Sequence, residues 1–236
     1  MRKFRVFVSG GTGYVGRPLV DRLVSRGHEV RVLARPGSER KVAPGAALVS
    51  GNALEAETFA RGADGCDTLV HLTGTPHPAP WKEREFRAVD FASLRASVNA
   101  ARSAQVAHFV YVSVAHPAPV MRAYIQVRTE CEEILRASGI PATLLRPWYV
   151  LGPGHRWPVA TQPVYGILNL FEGTREGARR LGLVTREQMV NALQWSVENP
   201  LDEGSQILDV PAIRAASGAT SRERAEGSTG RTSRSG

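Results

Sequence analysis

Short apolar runs alternate with longer stretches of helical period through the first two thirds of the chain. Residues 4–9, 29–34, 47–50, 68–72, 107–113 and 142–146 read as strands, and residues 14–26, 53–61, 83–103 and 122–138 as helices. Leu69-Val70-His71-Leu72 and Phe109-Val110-Tyr111-Val112 are continuously apolar rather than alternating. That pattern belongs to strands covered on both faces, as in the middle of a parallel sheet. Gly27, Gly62 and Gly139 follow three of the helical stretches and supply the left-handed residue that ends a helix. Strand and helix in this order build parallel βαβ units, so the expected class is α/β, a doubly wound, Rossmann-like parallel sheet.

The regularity stops at Pro147. Pro153, Gly154, Pro158 and Pro163 make residues 148–163 a loop-rich stretch. A last unit follows, with a strand over 181–184, Thr185 and Gln188 as a capping box, a helix to Glu198 and an apolar strand over 207–210. The division expected is a main domain over 1–147, a small C-terminal cap over 148–213 and a tail over 214–236. The tail holds Ser, Thr, Gly, Ala, Arg and Glu with no aromatic or large aliphatic residue, and is expected to be disordered.

The net charge of +8 changes little, because five arginines against two glutamates place +3 of it in the tail. No basic run with interleaved aromatics appears, so nucleic acid is not an expected partner. Cys66 and Cys131 stand apart from each other and from histidines, which offers no disulfide framework and no metal site. A reduced, cytoplasmic setting is expected. The basic opening Met1-Arg2-Lys3-Phe4-Arg5 leads only into Val6-Phe7-Val8, a strand rather than a targeting segment. No apolar run approaches the roughly 18 residues that a membrane span needs.

Chemistry enters at Ser9-Gly10-Gly11-Thr12-Gly13-Tyr14-Val15-Gly16, where a G-x-x-G-x-x-G turn follows a buried strand and opens a helix. Gly10 and Gly13 let the backbone turn tightly and approach a diphosphate, and Gly16 lets helix and strand pack closely. The helix N-terminus then offers free N–H groups to the anion. Gly10, Gly11, Thr12, Gly13, Tyr14, Val15 and Gly16 are therefore candidate dinucleotide-binding residues. The tip of the second strand selects the dinucleotide. It carries no carboxylate, and Arg35 with Ser38 or Arg40 is suited to clamp a 2′-phosphate, which favours NADP(H) over NAD(H); Glu39 nearby opposes this.

Together with Gly51-Asn52-Ala53, Val70-His71-Leu72-Thr73-Gly74 and Leu145-Arg146-Pro147, this turn resembles the atypical and extended short-chain dehydrogenase/reductases over roughly residues 2–210. That group includes NADP-binding regulators of nitrogen metabolism and an accessory nucleotide-binding subunit of respiratory complex I. The resemblance implies that Asn52 and Ala53 lie at the adenine, Thr73 and Gly74 beside the ribose and Pro147 near the nicotinamide. It also implies a catalytic Ser after the fifth strand and a Tyr-x-x-x-Lys on the next helix. There the Tyr exchanges a proton with substrate, the Lys lowers its pKa and holds the ribose, and the Ser orients the carbonyl.

In this chain the helix reads Tyr124-Ile125-Gln126-Val127-Arg128, with Arg128 in the place of the Lys. A guanidinium keeps the charge but not the reach of an ammonium. The active hydroxyl position falls at Val114, with Ser113 one residue earlier. Tyr124, Arg128 and Ser113 are the candidate catalytic set, and Tyr124 also reads as an aromatic packing on the loop before its helix. His71 reads as a hydrogen-bonded core histidine; His77 and His116 lie in Pro-rich loops where substrate contact competes with a plain surface role. Trp148, Tyr149 and Trp157 are candidates for an apolar or aromatic substrate wall, with His155 and Arg156 able to meet an anionic group.

Three readings follow. The first is an NADP(H)-dependent oxidoreductase on a small apolar carbonyl or quinone-like substrate. The second is a non-catalytic redox sensor or assembly protein with a protein partner. The third, a nucleotide-sugar epimerase or dehydratase, needs a larger substrate domain than residues 148–213 provide.

Overall fold

The computed structural model describes residues 2–116, 121–152 and 182–218. Its strands are β1 (Arg5–Ser9), β2 (Glu29–Ala34), β3 (Ala47–Ser50), β4 (Thr68–His71), β5 (His108–Val112), β6 (Ala142–Leu145), β7 (Tyr149–Leu151), β8 (Leu183–Thr185) and β9 (Ser205–Leu208). Seven of them form one sheet in the order β3-β2-β1-β4-β5-β6-β9, parallel at every pairing. The order reverses at β1, which lies between β2 and β4, and such a switch point opens a crevice at the carboxyl ends of the strands.

β4 and β6 are buried at every position, as strands inside a parallel sheet covered on both faces are. One face of the sheet is covered by α1 (Gly16–Ser25) and the C-terminal α4 (Arg186–Glu198). There Val6, Val8, Leu19, Val20 and Leu23 share a core with Met189, Val190, Leu193 and Val197. The other face is covered by α2 (Ala92–Ser103) and α3 (Arg122–Ala137), around Phe7, Leu69, Phe109, Leu94, Val127 and Leu135. The register pairs Ser9 with both Leu33 and His71, and Val112 with Leu145, so the strands end along one edge.

Several expectations are corrected. Residues 53–61 form two 3₁₀ turns, Ala56–Thr58 and Ala60–Ala63, instead of an α-helix. The Asn52 side chain accepts from the Leu54 N–H at 3.1 Å and donates to the Glu55 carboxylate at 2.7 Å, and the Thr58 hydroxyl donates to the Glu55 carbonyl at 2.7 Å. These local bonds compete with a helical ladder. Gly62 lies inside the second turn rather than beyond a helix; a Cβ there would stand 2.6 Å from Val49. The 83–103 stretch is divided into a short turn Glu83–Glu85, a π-helical turn Phe86–Phe91 and α2.

Tyr149–Leu151 is a strand, not loop, and pairs in parallel with β8. A helix over 210–218 extends past the expected start of the tail, because Ile213 and Ser217 are buried and Ser217 accepts a hydrogen bond from Asn191 at 3.1 Å. The C-terminal unit thus supplies β9 and α4 to the main sheet and its core. No helix among the described residues is long and apolar enough to cross a membrane.

Candidate active site

The glycine turn is built as its sequence demands. Gly13 N–H donates to the Gly10 carbonyl at 3.0 Å, and Arg17 N–H to the Gly13 carbonyl at 3.0 Å, so α1 begins at Gly16, two residues later than its pattern suggests. Gly10 has φ +80°, and a Cβ there would lie 2.7 Å from the Leu72 backbone. At Gly16 a Cβ would lie 2.1 Å from the Gly10 carbonyl oxygen. These two glycines are needed by the protein's own packing. Gly13 differs: it is exposed, and a Cβ would meet only the Gly10 carbonyl oxygen, at 3.2 Å. Its bare backbone opens outward beside the start of α1, which fits the close approach of a diphosphate.

The loop after β4 joins this turn to the catalytic candidates. Ser9 and Thr73 hydroxyls are 2.6 Å apart, which ties β1 to the loop. A Cβ on the next residue, Gly74, would lie 2.6 Å from Arg128 Nη2 and 2.9 Å from Asp90 Oδ1, so Arg128 sits directly under the loop. Arg128 is only 7% exposed. Nη1 donates to the Tyr111 hydroxyl at 3.1 Å and to the Val112 carbonyl at 2.9 Å, and Nη2 to Asp90. Tyr124, in the first turn of α3, lies over this group, with Arg128 Cζ 5.0 Å from its ring centre and the Phe86 ring 4.9 Å away. Burial pushes the Tyr124 phenol up, and the Arg128 charge opposes it.

Ser113 is buried and belongs to a different cluster. Burial raises the Glu132 carboxyl, but the bonds and charge of Arg146 and the neighbouring Ser113 hydroxyl hold it below the ordinary range. Glu132 is fully buried and meets Arg146, Arg136 at 2.7 Å and His116 at 3.6 Å. Arg146 and His116 also line a cleft of about 240 Å³ with Ala115, Ile207 and Asp209, at the β6–β9 end of the sheet. Val114, at the expected hydroxyl position, is buried and apolar. His71 is a core histidine, 2.9 Å from the Ser97 hydroxyl, with burial and Arg128 lowering its pKa to about 3.

At the β2 tip Arg35 is exposed and Ser38 buried, with Ser38 N–H on the Arg35 carbonyl at 3.0 Å. Glu39 folds back onto the Gly37 amide at 2.9 Å. Arg17 Nη1 reaches the Lys41 carbonyl at 3.0 Å and brings a further cation beside this tip. Sequence reasoning missed Arg17, although its place directly after Gly16 was visible. It also missed Asp90, which has no signal in an amphipathic helical pattern. Asn52 and Ala53 are half-buried, with the Asn52 side chain occupied by Leu54 and Glu55. Pro147 is buried, Trp148 and Tyr149 half-buried, and Trp157 lies outside the described residues. Gly152 approaches the turn so closely that a Cβ would lie 2.1 Å from the Tyr14 hydroxyl, with Arg186 stacked at 5.1 Å on the same ring. Among the described residues no group of three or more His, Cys, Asp or Glu is arranged to hold a metal.

Residues 10–161 match the model of a family described as NAD(P)H-binding. A ketoreductase of Stigmatella aurantiaca that acts on 4-hydroxy-2-methyl-3-oxo-4-farnesyl-3,4-dihydroquinoline-1-oxide is 30% identical over 170 residues, 63% of this chain and 51% of that protein. The chain therefore spans about half the length of that relative. A 3-diazoavenalumate denitrifying reductase of a Streptomyces species is 28% identical over 226 residues, 83% of this chain and 72% of its own length. Among solved structures, the Bordetella bronchiseptica enzyme WbmH in complex with NAD+ superposes with a TM-score of 0.67 at 19% identity, covering 95% of this chain and 83% of WbmH.

Proposed function

Since the chain belongs to a family described as NAD(P)H-binding, we propose that it is an NADP(H)-dependent oxidoreductase of the short-chain dehydrogenase/reductase type that reduces a small, largely apolar carbonyl or quinone-like substrate. The observation that carries this reading is the unbroken series of contacts from the glycine turn to a phenol. Ser9 meets Thr73, Gly74 lies against Arg128, and Arg128 lies beneath Tyr124. Gly10 to Gly16 would hold the diphosphate of a dinucleotide at the start of this line, and that group, when bound, would supply the hydride. Arg35 and Ser38, with Arg17 beside them, hold the 2′-phosphate; Thr73 and Gly74 flank the ribose.

Tyr124 gives its proton to the substrate oxygen as the carbonyl carbon becomes an alcohol carbon. Burial favours the neutral phenol that this role requires. Arg128 acts as a fixed charge behind Tyr124 rather than as a mobile ribose clamp, because both its terminal nitrogens are engaged. Trp148 and Tyr149 provide an apolar wall, a reading supported by the farnesylated substrate of the ketoreductase relative. Oxidation of NADPH by a panel of hydrophobic ketones and quinones tests the proposal. Turnover with the wild type that falls at least about 100-fold in Tyr124→Phe, with NADPH affinity retained, supports it.

A second reading, a dinucleotide-binding sensor or assembly protein without catalysis, is favoured by Val114 at the hydroxyl position and by the engaged Arg128. It predicts NADPH binding, no hydride transfer to any acceptor, and a partner whose affinity changes with the nucleotide. A nucleotide-sugar reading draws only on the shared fold.

A further inference from the structure

Asp90 is a fully buried carboxylate with three engagements and no place in the function set out above. Its Oδ1 is paired with Arg128, and its Oδ2 accepts from the Thr75 amide at 3.1 Å and the Thr75 hydroxyl at 2.5 Å. It is carried on the π-helical turn Phe86–Phe91, a wide turn of a kind that often occurs at functional sites. Phe86, at the start of the same turn, packs on the Tyr124 ring.

We propose that Asp90 is a positioning residue for Tyr124: it fixes the Arg128 guanidinium against Tyr111 and the Val112 carbonyl, and through Thr75 it fixes the loop that carries Gly74 over the same group. The inference rests on reading Tyr124 as the proton donor. Its chemical consequence is a balance of charge. A free cation beneath a phenol stabilises the phenolate and favours proton removal from an alcohol. A cation neutralised by its own buried carboxylate leaves the phenol protonated and suits delivery of a proton to a carbonyl oxygen. The groups that face Tyr124 are Arg128 and Cys131 from α3, Asp90 and Phe86 from the π turn and Tyr111 from β5; Arg128 lowers the phenol, and Asp90 and Cys131 carry the opposite influence.

Alkaline absorbance titration of tyrosinate, taken as the difference from Tyr124→Phe, isolates this phenol among five tyrosines. In Asp90→Asn the Tyr124 transition is expected to fall by about one pH unit or more, since the Arg128 charge is no longer balanced. A folded Asp90→Asn with an unchanged transition overturns the proposal. If Asp90→Asn does not fold, Asp90→Asn with Arg128→Gln replaces the ion pair by neutral amides. The proposal expects its Tyr124 transition within about half a unit of wild type. An upward displacement of more than about one unit overturns it, because Arg128 would then act on Tyr124 as an unbalanced cation. Neither titration uses nucleotide or substrate. Absence of turnover in every form, with the transition shifted as expected, defeats the proposed function and leaves the positioning role standing.

Discussion

Gly16 and Gly13 belong to one motif but answer to different constraints. At Gly16 a methyl group would lie 2.1 Å from a backbone oxygen that cannot move without opening the turn. Gly16→Ala is therefore expected to cost several kcal/mol, about 3 or more, and to abolish nucleotide binding. Gly13→Ala has one contact at 3.2 Å and is expected to fold almost normally while weakening NADPH by about tenfold or more. Denaturant midpoints and nucleotide titrations of the two variants separate packing from ligand approach. The sequence made both glycines visible as a motif, but only the geometry assigns their roles. In the same way Arg128 was legible as a departure from Lys, whereas its burial on Asp90 was not. A lone Asp in a helical stretch gives no sign that a π turn rotates it inward.

At the scale of elements, α3 carries Tyr124, Arg128 and Glu132 four residues apart, so one face of the helix holds two buried ion clusters. Removing Glu132 leaves Arg146 partly buried without its acceptor. Glu132→Ala is expected to destabilise by about 3–5 kcal/mol, and Arg136→Ala, whose side chain is 38% exposed, by less than about 1 kcal/mol. At the other end of the chain, the Thr185 hydroxyl accepts the Gln188 amide at 3.1 Å and the Gln188 side chain accepts the Thr185 amide at 2.9 Å. Thr185→Ala is expected to lose about 1 kcal/mol in chemical denaturation. This capping box was readable because its two partners are close in sequence. The β7–β8 pairing was not: three-residue strands joined only by long-range contact leave no periodicity, and proline density after Pro147 argued for loop.

For the whole molecule, the buried histidines set a pH dependence. His71, His108 and His116 are all pushed down by burial, His71 to about 3 and His108 to about 4. A histidine depressed in the folded state contributes stability that is complete above its unfolded pKa near 6.5 and is lost as pH falls toward the folded value. Unfolding free energy should therefore fall between pH 6.5 and 4.5, by up to about 1.4 kcal/mol per pH unit for each of His71 and His108, with His116 adding in the same direction. Glu132 and Glu198, held below the usual carboxylate range despite burial, extend the loss below about pH 4.5. His108→Gln, which keeps a polar partner for Thr143 at the position of a 3.1 Å contact, should flatten the upper part of the curve. Denaturant unfolding at stepped pH measures the slope, and a flat profile above pH 4.5 contradicts it.

The architecture of that molecule was the most legible part of the chain, because central parallel strands buried on both faces leave continuous apolar runs. Its ligand follows from the edge where those strands end. The direct test is a fluorescence titration of the protein with NADPH and with NADH, repeated on Arg35→Glu. Saturable NADPH binding, weaker NADH binding, and a preference reduced or reversed in Arg35→Glu, with the fold intact, are expected. Binding of neither nucleotide by the folded wild type would mean that the glycine turn serves packing alone and that the protein is no NADP(H)-dependent oxidoreductase.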